Sequence, residues 1–271
     1  MKQAKEKIIK ALGKIHAGLI LLFLYLPIMV VVVFSFNTSK RNIVFQGFTL
    51  EWYGKIFENQ RLLESFKNTI IVALTSTVIT TVIGTIGAIG LYKYKFKGKG
   101  VVDALMYIPV VIPEIILGIA LLSIFAIMKM PLGILTLIIA HVTFSIPFVV
   151  FTVRARLNGF DPSIEEAAMD LGAGRIRTFF EVTLPCIMPG VLAGAMLALT
   201  LSMDDVIISF FTTGPTSTTL PMQIYSMVRS GVSPDVNALS TLILVGTIAV
   251  VVITQGGLFS LIKTKITKKK I

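Results

Sequence analysis

The sequence predicts an all-α membrane protein with six transmembrane helices and both termini in the cytoplasm. Three observations lead there: a strongly apolar composition, six apolar runs long enough to cross a bilayer, and basic residues that gather on alternate sides of those runs. Hydrophobic residues make up 55% of the 271 and charged residues 14%, against about 45–50% and 25% in soluble domains. A hydrocarbon core about 30 Å thick needs about 20 apolar residues in helix.

Taken in order, residues 1–16 form a basic cytoplasmic segment and the first span runs from Ala17 to Phe36. A basic start followed by an apolar run also fits a signal peptide, but the run is too long and no Ala-x-Ala-like site follows it, so it reads as a retained span. The loop from Asn37 to Asn68 carries Trp52, Tyr53 and Phe57 at helical spacing, which fits an interfacial helix with aromatics at the headgroup boundary or a contact for an external protein. The second to fourth spans, Thr69 to Leu91, Val101 to Met128 and Leu132 to Val153, follow one another through short connections and pack as sequence neighbours. A polar loop, residues 154–186, precedes the fifth span from Ile187 to Phe211. The sixth runs from Ala238 to Ile262, and a basic tail, 263–271, follows it. Gly84 with Ala88, and Gly190 with Gly194, lie four apart on one helix face, where small residues let backbones approach.

The net charge of +11 does not by itself select a partner class. In a soluble chain it would point to nucleic acid, but here the basic residues flank apolar runs, which is the signature of orientation in a membrane. Eighteen of the 25 lie before the first span, after the sixth, in Lys93 to Lys99 and in Arg154 to Arg177; the intervening segments hold seven. The richer side is cytoplasmic. The single cysteine, Cys186, excludes an intrachain disulfide framework and has no clustered partners for metal or redox chemistry, so no metal site is expected.

The loop is patterned rather than disordered. Asp161-Pro162-Ser163 opens a short helix: an Asp side chain caps free amides, Pro fits the first turn, and Glu165 and Glu166 suit the positive helix end. Gly172 permits the bend that ends it. Ala167, Ala168 and Leu171 form a small apolar face beside Glu166 and Asp170; Phe179, Phe180 and Leu184 supply another on a second short helix. Too small for a core of its own, this segment reads as a docking element, with alanines for close approach and carboxylates for the partner's rim.

Glu166-Ala167-Ala168, then Gly172, then Val182-Thr183-Leu184-Pro185 resembles the EAA loop of ATP-binding-cassette importer permeases, with Val182 where isoleucine is usual. The resemblance implies the type I importer permease fold and a coupling role for Glu166, Ala167, Ala168 and Gly172 against a separate ATPase. The chain has no Gly-x-x-x-x-Gly-Lys-Ser/Thr loop, so it is not expected to be an enzyme; ATP and Mg belong to the partner. Leu26-Pro27-Ile28, Ser35-Phe36-Asn37, Gly47-Phe48-Thr49, Trp52-Tyr53, Leu201 to Val206, Thr213-Gly214-Pro215 and Ile224 to Val228 extend the likeness to spermidine/putrescine importer permeases, specifically their second permease subunit. That family implies a bacterial inner-membrane location, a second related permease, an ATPase dimer and an extracytoplasmic binding protein that delivers the polyamine.

Carboxylates inside spans cost about 2.5–3.5 kcal/mol on insertion scales and therefore face a cavity or a partner. Glu114, Asp204 and Asp205 are the candidates for a cation path. Glu114 falls about 20 Å along the third span and Asp204 about 25 Å along the fifth at 1.5 Å per residue. Pro109 and Pro113 free backbone carbonyls nearby. Adjacent helical residues point about 100° apart, so Asp204 and Asp205 cannot share one narrow path unless the helix breaks, and one of them has a structural task. His141 reads as an interhelical hydrogen-bonder. Phe144, Phe210 and Phe211 offer either packing or cation–π faces.

The same residues admit three other functions. Another cargo such as sulfate, molybdate, iron or an amino acid keeps the machine, although an anion path favours basic residues or helix N-termini. An intramembrane aspartyl protease needs two carboxylates converging on one water, and a channel or secondary transporter needs no coupling loop.

Overall fold

The computed structural model of the chain describes residues 2–39, 44–230 and 234–249. The elements are α1 (Lys2–Phe34), α2 (Glu51–Glu58), α3 (Gln60–Lys93), α4 (Lys99–Val111), α5 (Glu114–Ile127), α6 (Ile134–Leu157), α7 (Ser163–Asp170), α8 (Arg175–Thr178), α9 (Leu184–Asp204), α10 (Ile207–Thr212), α11 (Leu220–Ser230) and α12 (Pro234–Ala249). Among the described residues the only strand-like pairing is one bridge, Asn37 with Phe48. The described chain is otherwise helix and connection, as the apolar runs predict.

Four helices, Lys10–Phe34, Gln60–Lys93, Ile134–Leu157 and Arg175–Asp204, are long and apolar enough to cross a membrane. The third expected span is not one straight helix. It breaks between α4 and α5 with a bend of 111°. The cause is Pro113: it has no amide to donate and drives the residue before it out of the helical region, so Ile112 sits at φ −71°, ψ 137°. Glu114 therefore opens a new helix instead of lying deep in an old one, which corrects the depth expected from a continuous rise. The sixth expected span is covered as far as Ala249 by α12, and its remainder lies outside the described residues.

The chain forms two compact units, Arg61–Tyr225 and the flanking segments Met1–Gln60 with Ser226–Ile271. In the first of these, α6 and α9 make the main packed pair. Leu157, Val153, Val150 and Val149 of α6 meet Ile187, Val191 and Ala198 of α9, with Ala88 and Leu91 of α3 in the same cluster. Gly84 and Gly194 both owe their identity to one side chain: a Cβ on Gly84 would stand 2.7 Å from Val149 Cγ1, and one on Gly194 3.2 Å from it. Gly190 lies under Arg156, whose Cβ would be 2.6 Å away. The small-residue pairs are contact points for helices, as their spacing predicts. A second cluster joins Leu121 and Phe125 of α5, Ala140 and Phe144 of α6, and Ile208 of α10.

In the flanking unit the loop after α1 folds around Asn37. Its amide donates to the Val44 carbonyl at 2.9 Å, and its Oδ1 accepts the amide of Gln46 at 2.9 Å. Trp52 of α2 donates its indole N–H to the Asn37 carbonyl at 2.7 Å and is buried. The expected helix forms, but Trp52 is an internal strut of this loop and not a headgroup anchor; Phe57, 66% exposed, keeps that option.

Candidate translocation site and coupling loop

The fifth span ends at Asp204, and the break separates the two neighbouring aspartates. Asp205 leaves the helical region at ψ 126° and α10 restarts at Ile207. Its side chain turns inward and caps the new helix: Oδ2 accepts the Ser209 amide at 2.7 Å and Oδ1 the Ile208 amide at 3.2 Å. His141 Nε2 of α6 stands 3.4 Å from the same Oδ2. A buried polar chain continues from there. His141 Nε2 bonds Ser209 Oγ at 3.1 Å, His141 Nδ1 bonds Ser202 Oγ at 2.6 Å, and Ser202 Oγ meets Ser76 Oγ of α3 at 3.1 Å. Buried polar groups of this kind are tolerated because each finds a partner. His141 is the interhelical hydrogen-bonder that its lone position in the span predicts, and Asp205 is the aspartate with the structural task.

Asp204 and Glu114 are placed differently, since both side chains are exposed. Glu114 is the first residue of α5, directly after the bend, and lies within electrostatic range of Asp205 and Asp204. No lysine or arginine occurs in α5, α9 or α10. Helix α10, which starts two residues after Asp205, packs closely on α5, which Glu114 opens. Phe211 presses on Gly118 of α5, where a Cβ would meet its ring at 2.5 Å, and Phe144 is buried, so these two rings pack; Phe210 is 60% exposed. Among the described residues no group of three or more His, Cys, Asp or Glu is arranged to hold a metal.

The polar loop folds as its sequence predicts at its first helix. Asp161 Oδ1 accepts the Ser163 amide at 3.0 Å, and this bond holds the Asp161 carboxyl below the usual range. Gly172 ends α7 in the left-handed region at φ +91°. The second short helix differs from expectation: α8 runs through a π turn, Phe179–Thr183, directly into α9, so it is the start of the long helix. Ala167 and Glu166 are exposed and Ala168 is partly so, while Leu171 and Ile176 stand out at 90% and 78% exposure.

Glu165 was legible in the sequence only as a helix-end charge. Its carboxylate accepts from Lys93 Nζ at 2.6 Å and from the Thr183 hydroxyl. Burial pushes the carboxyl up, and these two partners more than offset that, holding it below its ordinary value. Other charges that the sequence assigns to orientation also have partners: Arg154 pairs with Asp103 of α4 at 2.5 Å, and Arg156 donates to the Cys186 carbonyl at 3.2 Å. Partners 72, 51 and 30 residues apart leave no local spacing signal to read.

Residues 80–262 match the family described as binding-protein-dependent transport system inner membrane component. The spermidine/putrescine transport system permease protein PotC of Escherichia coli K12 is 44% identical over 233 residues, covering 86% of this chain and 88% of the relative. The putrescine transport system permease protein PotI of the same organism is 40% identical over 229 residues, with 82% of each covered. Among solved structures, a chain of a bacterial ABC transporter involved in the import of the acidic polysaccharide alginate superposes with a TM-score of 0.74 at 15% identity, covering 93% of this chain and 97% of that one. A chain from the inward-facing MetNI methionine ABC transporter superposes with a TM-score of 0.58 at 17% identity, covering 78% and 97%.

Proposed function

The chain belongs to the family of binding-protein-dependent transport system inner membrane components, and we propose, from its similarity to polyamine permeases within that class, that it carries polyamines, spermidine or putrescine, across the membrane as one of two related permease subunits. It is an inner-membrane permease subunit of an ABC importer and not itself an enzyme, with the fold of type I importer chains. ATP is hydrolysed by a partner.

The observation that carries the cargo reading is the exposed pair Glu114 and Asp204, two carboxylates with no cation on their helices to neutralise them. A polyamine is a flexible polycation, so its ammonium groups complete the charge balance there. Asp205 holds the break in place while Asp204 and Glu114 meet cargo. The alginate and methionine importers share this fold at under 25% identity, so fold alone does not select a solute.

The two termini are cytoplasmic, and α7 is the contact for an ATPase dimer. Glu166, Ala167, Ala168 and Gly172 form the contact, and Leu171 and Ile176 supply exposed apolar anchors that water otherwise covers. ATP and Mg are held by that partner. An extracytoplasmic polyamine-binding protein delivers the cargo. Alternating access then needs the outward and inward states to differ in affinity, since a ligand that binds both equally shifts nothing.

The test is ATP-dependent uptake of labelled spermidine into liposomes holding this chain, a companion permease, the ATPase and the binding protein. Saturable uptake blocked by putrescine and untouched by sulfate supports the reading. Uptake of a different solute in place of spermidine overturns the cargo and leaves the importer.

A further inference from the structure

We propose that Glu165 is a positioning residue that locks α7 to two membrane helices at once, so that a displacement of α7 reaches α3 and α9 together. The inference rests on the reading of α7 as the ATPase contact and deepens it. The problem it answers is mechanical. Helix α7 has eight residues, none of them buried, and isolated helices shorter than about 12–15 residues are marginal in water. A helix held by so little packing cannot by itself pass a push to anything.

The attachment lies in one carboxylate. Lys93, the last residue of α3, reaches both Glu165 oxygens at 2.6 Å, and Thr183, buried at the end of the π turn that leads into α9, donates its hydroxyl to Oε1. The Lys93 and Glu165 side chains are only 32% and 15% exposed, so the pair is screened less than a surface ion pair. Charge-assisted bonds of this kind are about twice as strong as neutral ones. Glu166, about 100° further round the helix, stays exposed and free for a partner. Of the two adjacent glutamates, one grips the chain's own membrane helices and the other looks outward.

The test uses the assembled complex in liposomes. Glu165→Gln and Lys93→Met each remove the charge pair with little change of shape. Each is expected to lower spermidine moved per ATP hydrolysed by about fivefold or more, while hydrolysis itself continues. The double variant is expected to be no worse than either single one. The reversed pair, Lys93→Glu with Glu165→Lys, is expected to recover most of the ratio, because the Thr183 hydroxyl can accept from a lysine as well as donate to a glutamate. An unchanged ratio in both single variants, or a reversed pair no better than Glu165→Lys alone, overturns the proposal.

A second readout needs no cargo. In a Cys186→Ser background, spin labels at Tyr94 and Met169 report the distance between the end of α3 and α7. That distance is expected to hold between nucleotide-free and vanadate-trapped complexes of the parent and to broaden in Glu165→Gln. A parent distance that changes on trapping overturns the lock. A parent that holds the distance but takes up no spermidine supports the lock and counts against the cargo alone.

Discussion

Asp204 and Asp205 are chain neighbours that end in opposite surroundings: Asp204 is exposed, and Asp205, turned inward by the break, accepts two amides of α10 and stands 3.4 Å from His141 Nε2. The difference separates two kinds of mutant. Asp205→Ala leaves buried amides without an acceptor, a loss of about 1–3 kcal/mol, and is expected to lower the melting temperature of the purified complex. Asp204→Asn is expected to leave melting unchanged and to reduce spermidine uptake severalfold. Normal uptake by Asp204→Asn and Glu114→Gln alike would remove the carboxylate path.

Val149 receives Gly84 of α3 and Gly194 of α9, and it is fully buried. Because its Cβ as well as its Cγ1 lies under 3.0 Å from a Cβ placed on Gly84, rotation of the side chain gives no relief. Gly84→Ala is expected to destabilise by about 1–3 kcal/mol through overpacking, and Val149→Ala in the same chain to restore part of that. Thermal unfolding in detergent, followed by tryptophan-independent light scattering, measures both.

Leu171, 90% exposed on a segment without a core, is expected to anchor the partner ATPase. Covering one leucine is worth about 1.5–3 kcal/mol. Leu171→Asp should therefore weaken ATPase retention about tenfold or more while the permease alone melts as before. Glu166→Lys should preserve assembly less well than Glu166→Gln, since it reverses a rim charge. Full ATPase retention by Leu171→Asp, read by co-purification, would take that residue out of the contact.

Acid should loosen α7. Both Glu165 and Asp161 have carboxyls held below their ordinary values, the first by Lys93 and Thr183 against the effect of burial and the second by the Ser163 amide. A group with a depressed folded-state pKa contributes stability that is fully present above its unfolded value, about 4.3 for Glu and 3.9 for Asp, and that is lost as pH falls through the folded value. Amide exchange across Ser163 to Asp170, corrected for its intrinsic pH dependence, is expected to be flat from about pH 7 to pH 5 and to rise below about pH 4. In Glu165→Gln the exchange should be faster at neutral pH and the acid rise smaller, retaining the Asp161 part.

Most of the architecture was legible because it follows from local chemistry. Apolar length announces a span, Asp161-Pro162-Ser163 a helix start, Gly172 its end, and Gly84, Gly190 and Gly194 their close contacts. What the sequence hid were consequences of meeting at a distance. Trp52 has the look of a lipid anchor and is instead tied to Asn37. Lys93 counts toward orientation, and nothing near it in sequence names Glu165 as its partner. The aspartate pair could be split into two roles in principle, but only the position of the break shows that Asp205 is the one that caps α10.

Glu114 begins α5 at the sharp bend, at the positive end of a new helix that no side chain caps. A carboxylate there already answers the half-positive end of that helix. On the proposed reading an arriving ammonium group therefore finds an anion whose field is partly neutralised, and is held loosely. Loose holding is what a conduit requires: a station that gripped its passenger would fill once and stop, and one that shares its charge with the backbone lets the passenger go on.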